Sequence, residues 1–330
     1  MYYRLFLLAT IMLLFSCKKK GCELPEEIER IPVTVQIDRL EKPFFEASSK
    51  QEIATFLNDN PLFAERFIQR KSYPSDSAVI NALYSLATNP ELQKLAQEAD
   101  EKFGDMASEK QQLETAFKSI KYYYPEFKEP QVKTFVSGLN QDLLVSDSLL
   151  VLGIDFFIGK DASYRPDTYD YILKRYERPN MVPAAMLLLS NRFNKTSFLE
   201  RSLLAEMVNT GKAYYFVKSI MPCTPDSTII GYSGQQLADV NHNEGRIWAH
   251  FVEQSLLYEK SPFVVNKYIG ERPNTPEIDP TSPGRLGTWL GWQIVRKYME
   301  RNPKVTLQEL MADDDYQKIF NESKYKPEKR

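Results

Sequence analysis

Ile31-Pro32-Val33-Thr34-Val35-Gln36-Ile37-Asp38 is the stretch on which the fold turns. Val33, Val35 and Ile37 alternate with Thr34, Gln36 and Asp38, the period-two pattern of a strand with one buried face. Most of the chain beyond it has a different period. From about Lys50 to Lys121 apolar residues recur at helical spacing, broken at Pro61, Pro74, Pro90 and Gly104, which predicts roughly four to six short helices. Asn89 before Pro90, and Ser75 or Asp76 before Ala78, are suited to cap them. Val132 to Val136 and Leu149 to Ile154 are short β-rich runs set among Gly138, Gly153 and Gly159, so two further strands should pair with the first. Beyond Asp167 helical spacing returns as far as Phe320. The expected fold is α+β, predominantly α-helical with a small β-sheet.

With 43% hydrophobic and 12% aromatic residues, the 330-residue chain can bury a sizeable core. Residues 31–323 should form a single globular α-rich domain, or two intimate lobes meeting near 125–130, and the charged end 324–330 should fray. The 42 basic and 44 acidic residues are scattered, with a net charge of -2 and no sustained basic stripe, which argues against nucleic acid as a partner.

The beginning of the chain sets its compartment. Arg4 provides a positive n-region, Leu5 to Phe15 an apolar core, and small Ser16 precedes Cys17. This is the pattern of a signal peptide over 1–16, and its apolar run is shorter than the roughly 20 residues of a bilayer-crossing helix. Leu14-Phe15-Ser16-Cys17 resembles a bacterial lipobox, in which the cysteine is acylated, so Cys17 is the expected lipidation site and the lipid bilayer the first expected partner. The bland alternative is an ordinary secretory signal with an incidental cysteine, and Phe15 is bulkier than the usual residue there. Lys18, Lys19 and Lys20 would lie beside anionic headgroups, and 17–30, with Gly21 and Pro25, reads as a flexible tether. Cys22 and Cys223 could pair in an oxidising periplasm, but Cys22 falls in that tether, so the expectation leans against the bond and leaves it open.

Only two histidines are present. On a helix expected over Gln235 to Tyr258, His242 and His250 stand about 12 Å and roughly 80° apart, so they cannot share a metal ion. Both fall on the polar face with Arg246 and Glu253, opposite Leu237, Val240, Ile247, Trp248 and Phe251. Asn241 and Glu244 fall within the apolar stripe beside Trp248, where a carboxylate needs a partner such as Arg246 or Arg285. A structural network is the expected role of Glu244, a site carboxylate the alternative. A second helix should start at Ser282-Pro283-Gly284-Arg285, with Gly287 and Gly291 giving a face open to close helix packing. Trp289 and Trp292 suit either a core or a partner interface. There is no phosphate-binding Gly-rich loop, no Gly-x-Ser-x-Gly elbow and no His-Glu-x-x-His helix, and Ser233 and Ser282 lack a nearby histidine base. No cofactor, metal or catalytic residue is expected.

Several segments together resemble the GldB-type gliding-motility lipoproteins of gliding bacteria. They are Ile31-Pro32-Val33 with Asp38-Arg39, Lys121 to Pro125, Gly153-Ile154-Asp155 with Gly159, Gly211-Lys212, Ile230-Gly231-Tyr232 with Gln235, and Asn243-Glu244 with Ile247-Trp248. The most specific is Pro283-Gly284-Arg285 through Gly287, Trp289, Gly291-Trp292-Gln293-Ile294-Val295 and Tyr298-Met299, closed by Ser323 and Tyr325-Lys326-Pro327. The resemblance implies a lipoprotein needed for gliding, with envelope proteins of the gliding and type IX secretion machinery as partners, and it carries no catalytic residues. The periplasmic face of the outer membrane is the expected location, with the inner membrane as the alternative. A fainter resemblance, of Glu206 to Phe216 to the second ligand segment of zincin-like proteases, raises a zincin-like fold and an envelope hydrolase as the alternative. The preceding helix, Pro183 to Phe193, has no histidine to supply the metal.

Overall fold

The computed structural model describes Cys22, residues 24–197 and residues 200–327. Cys17 and the leader lie outside them. Four strands, β1 (Ile37–Arg39), β2 (Gln131–Phe135), β3 (Leu143–Val145) and β4 (Leu149–Gly153), form one sheet in the order β1-β2-β4-β3. β1 runs parallel to β2 and β2 to β4, while β3 returns antiparallel along the edge. The alternation in the opening stretch is real in burial over Val33 to Gln36, since Val33 and Val35 are buried and Thr34 and Gln36 exposed, but Ile37 and Asp38 are both half-buried. Pairing starts later than the pattern suggests, because the Val35 N–H donates to a carboxylate oxygen of Glu114 at 3.1 Å and not to a strand.

Successive residues of the central strands feed two hydrophobic clusters. Phe135, Leu149 and Val151 face a cluster of N-terminal helices, and Val132, Leu150 and Leu152 face the larger C-terminal one. On the first side Phe135 sits amid Phe44, Phe63 and Phe67, with ring centroids 4.9, 5.1 and 5.8 Å away. Five α-helices run between Lys50 and Tyr123. Ser75 caps Asp76–Ala87 by accepting from the Ala78 N–H, and Asn89 caps Pro90–Phe103. On the second side the Leu203–Ile220 and Leu286–Arg301 helices form the central pair. They cross so closely that a Cβ on Gly291 would overlap the Met207 carbonyl, and one on Gly211 the Gly291 carbonyl.

Elsewhere the structure departs from what the pattern suggests. The helix expected over Gln235 to Tyr258 is two, Gly234–His242 and Glu244–Glu253, parted at Asn243. Asn243 closes the first, its side-chain amide donating to the Asp239 carbonyl, so a single helical wheel across the break misplaces Asn241 and Glu244. Ser282 caps nothing; the Leu286–Arg301 helix begins after Arg285, which holds a left-handed conformation at φ 60°. The Ser282 carbonyl instead accepts from the Thr275 N–H, in a bridge that joins Asn274 to Pro283.

The described residues of both segments expected to be loose, Cys22 with 24–30 and 324–327, include groups packed on the body. Glu26–Glu29 is a helical turn whose neighbour contacts bury Ile28, with Lys118 donating to the Glu29 carbonyl and Tyr122 to Glu27. That docking brings the tether onto the body, where Cys22 forms a disulfide with Cys223. At the other end Tyr325 is buried against Trp248, edge to face at 5.2 Å. Among the described residues no helix is long and apolar enough to cross a membrane.

Candidate functional site

Arg285 lines a cleft in the C-terminal part of the chain. Its left-handed backbone is unusual for a residue with a side chain, and such strain persists where surrounding contacts fix it. Its guanidinium is buried, donating to the Tyr214 hydroxyl at 3.2 Å and to the Ile230 carbonyl at 2.5 Å, with Nε 3.7 Å from Glu271. Burial opposes the charge, but the oxygens of Tyr214, Tyr232 and Glu271 outweigh it and hold the pKa above the ordinary arginine value. Arg175 reaches the same Glu271 oxygen at 2.8 Å.

Local sequence explains the placement. Gly231 ends the Asp226–Ile230 helix at φ 71°, and a Cβ there would stand 2.5 Å from the Arg175 side chain. Only glycine meets both demands. Tyr232 then buries its hydroxyl, which donates to the Gly284 carbonyl at 2.6 Å, and burial raises its pKa well above the usual tyrosine range. A Cβ on Gly284 would collide with the Arg272 carbonyl, so Pro283-Gly284-Arg285 can lie against the Glu271-Arg272 turn.

The cleft has two adjoining parts, a polar one of about 250 Å³ (the mouth) and an apolar one of about 160 Å³ (the inner part), equally open to solvent, which share Arg175, Asn180, Gly231 and Arg285. This chemistry suits recognition of an anion.

The other singled-out residues lie elsewhere. Glu244 is half-buried and accepts from the Tyr325 hydroxyl at 2.6 Å; neither Arg246 nor Arg285 is its partner. Asn241 is exposed, not set in an apolar stripe, and Trp248 is half-buried under Tyr325 and Phe320. Gly287 lies under the Tyr268 carbonyl, and Trp292 is fully buried between Tyr214 and the Arg296 guanidinium. His242 is exposed, whereas His250 is half-buried with Nε2 2.8 Å from the Tyr268 hydroxyl, and burial lowers its pKa. Lys212 is buried, donates to the Lys195 and Asp313 carbonyls at 2.9 and 2.6 Å, and is drawn by burial to a pKa of about 8. Among the described residues no group of three or more His, Cys, Asp or Glu could hold a metal ion.

Arg175 and Glu271 carry no sequence signal of their own. Tyr214 sits just beyond Gly211-Lys212, which is as near as the sequence comes to marking it.

The model of the family described as gliding motility protein GldB matches residues 21–327. The chain belongs to this family. No curated protein and no solved structure matches it significantly. Within this GldB-family chain, two of the segments that carry the resemblance, Ile230-Gly231-Tyr232 and Pro283-Gly284-Arg285, meet at the cleft. Gly153-Ile154-Asp155 serves a different end. The buried Asp155 carboxylate accepts from the Ser137 and Leu139 N–H groups at 3.0 and 2.7 Å, pinning the turn after β2.

Proposed function

We propose that this GldB-family protein is a lipoprotein, anchored through acylated Cys17, that works as a non-catalytic assembly or stabilising component of the gliding and type IX secretion machinery. In this reading it faces the periplasm from the inner leaflet of the outer membrane and holds an envelope protein through the Arg175–Arg285 cleft. The family match over residues 21–327 carries the reading, since it ties the whole body of the chain to gliding. The cleft supports the way it acts, because cations fixed by carbonyls, hydroxyls and a carboxylate suit binding and bring no nucleophile with its base.

The test is complementation in a motile host lacking the gene. A chain altered at Glu206, His242 and His250, shown to fold by its thermal transition, restores surface movement if no residual metal chemistry is needed. Failure of that folded variant, or stoichiometric zinc in the purified wild type, overturns the non-catalytic reading. Equal fatty-acid labelling of wild type and Cys17→Ala overturns the anchor.

A further inference from the structure

The two parts of the cleft ask different things of an occupant. At the mouth, Lys174, Arg175, Arg272 and Arg285 face a single lining carboxylate, Glu271. One Glu271 oxygen serves both Arg175 and Arg285, and Glu277 offsets Arg272 from outside the mouth. Four cations thus share two carboxylates, an excess of two positive charges, and of the four Lys174 alone makes no ion pair among the described residues. Uncompensated cations on a partly desolvated wall attract an anion, and guanidinium groups favour planar carboxylate geometry.

Away from the two arginines it shares with the mouth, the inner part offers an anion no partner. Leu143, Phe157, Ile172, Leu187 and Ile229 line it, with Ala184 leaving room between them. Its charged group away from the arginines, Asp142, is already engaged, one oxygen by the Tyr176 hydroxyl at 2.9 Å and the other by the Leu143 N–H at 2.7 Å. At about 160 Å³ this space matches the roughly 150 Å³ of an apolar cavity known to take a benzene ring. Around the mouth, Ser233 and Gln236 hold each other in a capping box, which leaves the Ser233 O–H and the Gln236 side-chain N–H groups, beside Asn180, for the peptide bond that would follow.

We propose that this cleft binds the C-terminal residue of a polypeptide, its carboxylate on Arg175 and Arg285 and its one bulky apolar side chain, leucine or phenylalanine, in the inner part. The proposal rests on the reading of the cleft as the partner-binding site. Glu271, half exposed on its turn, occupies the carboxylate position in the unliganded chain and yields it to the incoming carboxylate. A terminal carboxylate and its side chain branch from one carbon, which fits a cation pair bordering an apolar space. An internal acidic residue brings no such apolar group, and a phosphate brings no side chain.

Titration calorimetry on the full-length lipidated chain in detergent tests this at low salt. The probes are a five-residue peptide ending in phenylalanine with a free carboxylate, its C-terminal amide, N-acetylphenylalanine, acetate and phenyl phosphate. The free-acid peptide should bind roughly tenfold or more tightly than its amide and than acetate, because each lacks one of the two recognised groups. Arg175→Gln should weaken binding by roughly tenfold. Ala184→Phe, which fills the inner part and removes no charge, should abolish it with an unchanged thermal transition. Equal binding of acid and amide overturns the proposal, as does tighter binding of phenyl phosphate, or binding that survives Ala184→Phe. N-acetylphenylalanine binding as well as the peptide would make the ligand a small apolar acid and overturn the polypeptide assignment. If no probe binds, the proposal falls, while gliding by a strain carrying Ala184→Phe reports separately whether the cleft matters to movement.

Discussion

Cys22 is joined by a disulfide to Cys223, 201 positions further along the chain. Closing so long a loop restricts the unfolded chain far more than the folded one, by on the order of 5 kcal/mol in the chain-entropy account. Cys22→Ser should therefore lower the thermal midpoint, and adding reductant to wild type should reproduce the shift. A midpoint insensitive to both would mean that Glu26–Glu29 alone docks the tether.

With the proposed lipid on Cys17, the same bond would limit how far the body can move from its anchor. Cys22 stands five positions beyond Cys17, which allows at most about 18 Å of extended chain. In the oxidised lipoprotein a fluorescent label at Thr224 should be quenched by bilayer-embedded quenchers, and reduction should weaken that quenching. Equal quenching in both states would mean the disulfide does not set the height of this face.

Gly291 and Gly234 make opposite predictions from one chemical change. A Cβ at Gly291 would overlap the Met207 carbonyl where the two long C-terminal helices cross, so Gly291→Ala should destabilise by roughly 1–3 kcal/mol or more. Gly234 opens its helix with open space for 4 Å around an added methyl and without a left-handed φ, so Gly234→Ala should be neutral or stabilise by about 0.5–1 kcal/mol. Denaturant midpoints at constant slope would separate the two.

How much of this was legible in the sequence depends on whether a feature is local. The Val33–Val35 alternation, the caps at Ser75 and Asn89, and the apolar runs of β2 and β4 depend on neighbours in sequence, and they stand where the pattern places them. β3 is three half-buried residues, too short to show a period. Asn243 parts two helices through a side-chain bond to Asp239 that competes with continuing the helix, an outcome residue type alone does not decide. The cleft is hidden for a stronger reason. Arg175, Glu271 and Arg285 meet only because Gly231 and Gly284 let distant turns approach, and no periodicity records such a meeting. Of these three charged residues Arg285 alone stands out in the sequence, at the start of a helix.

Asp155 gives a pH test. Burial raises its pKa to about 6 against an ordinary value near 3.8, outweighing the N–H groups of Leu139 and Ser137 that favour its charged form. The folded state therefore holds this proton more tightly than the unfolded state. Its contribution to stability is fully present below about pH 4 and is lost as pH rises through about 6. The stability of wild type relative to Asp155→Asn should fall across that window by on the order of 1–3 kcal/mol and level off above it. Urea unfolding of both proteins between pH 4 and 7.5 measures this, and a flat difference would mean that Asp155 ionises as freely in the fold as outside it.

Glu244 and Tyr325 close the molecule, and their unequal burial orders three variants. The Tyr325 hydroxyl is buried and donates to Glu244 at 2.6 Å, while the Glu244 carboxylate is only half-buried. Desolvation, and then the Glu244 carboxylate itself, push the Tyr325 pKa far above the tyrosine range, so the donor stays neutral. Tyr325→Phe keeps the ring on Trp248 and leaves a carboxylate that water can reach, at a cost of about 0.5–1.5 kcal/mol. Glu244→Ala leaves a buried hydroxyl without its acceptor and should cost more, about 1–3 kcal/mol. Glu244→Gln keeps an acceptor oxygen and should cost least. Chemical denaturation of the three, with movement scored in the same strains, checks both the order and the role. If Glu244→Ala kept its full stability yet stopped gliding, Glu244 would be a partner contact, and the pairing with Tyr325 would be incidental to it.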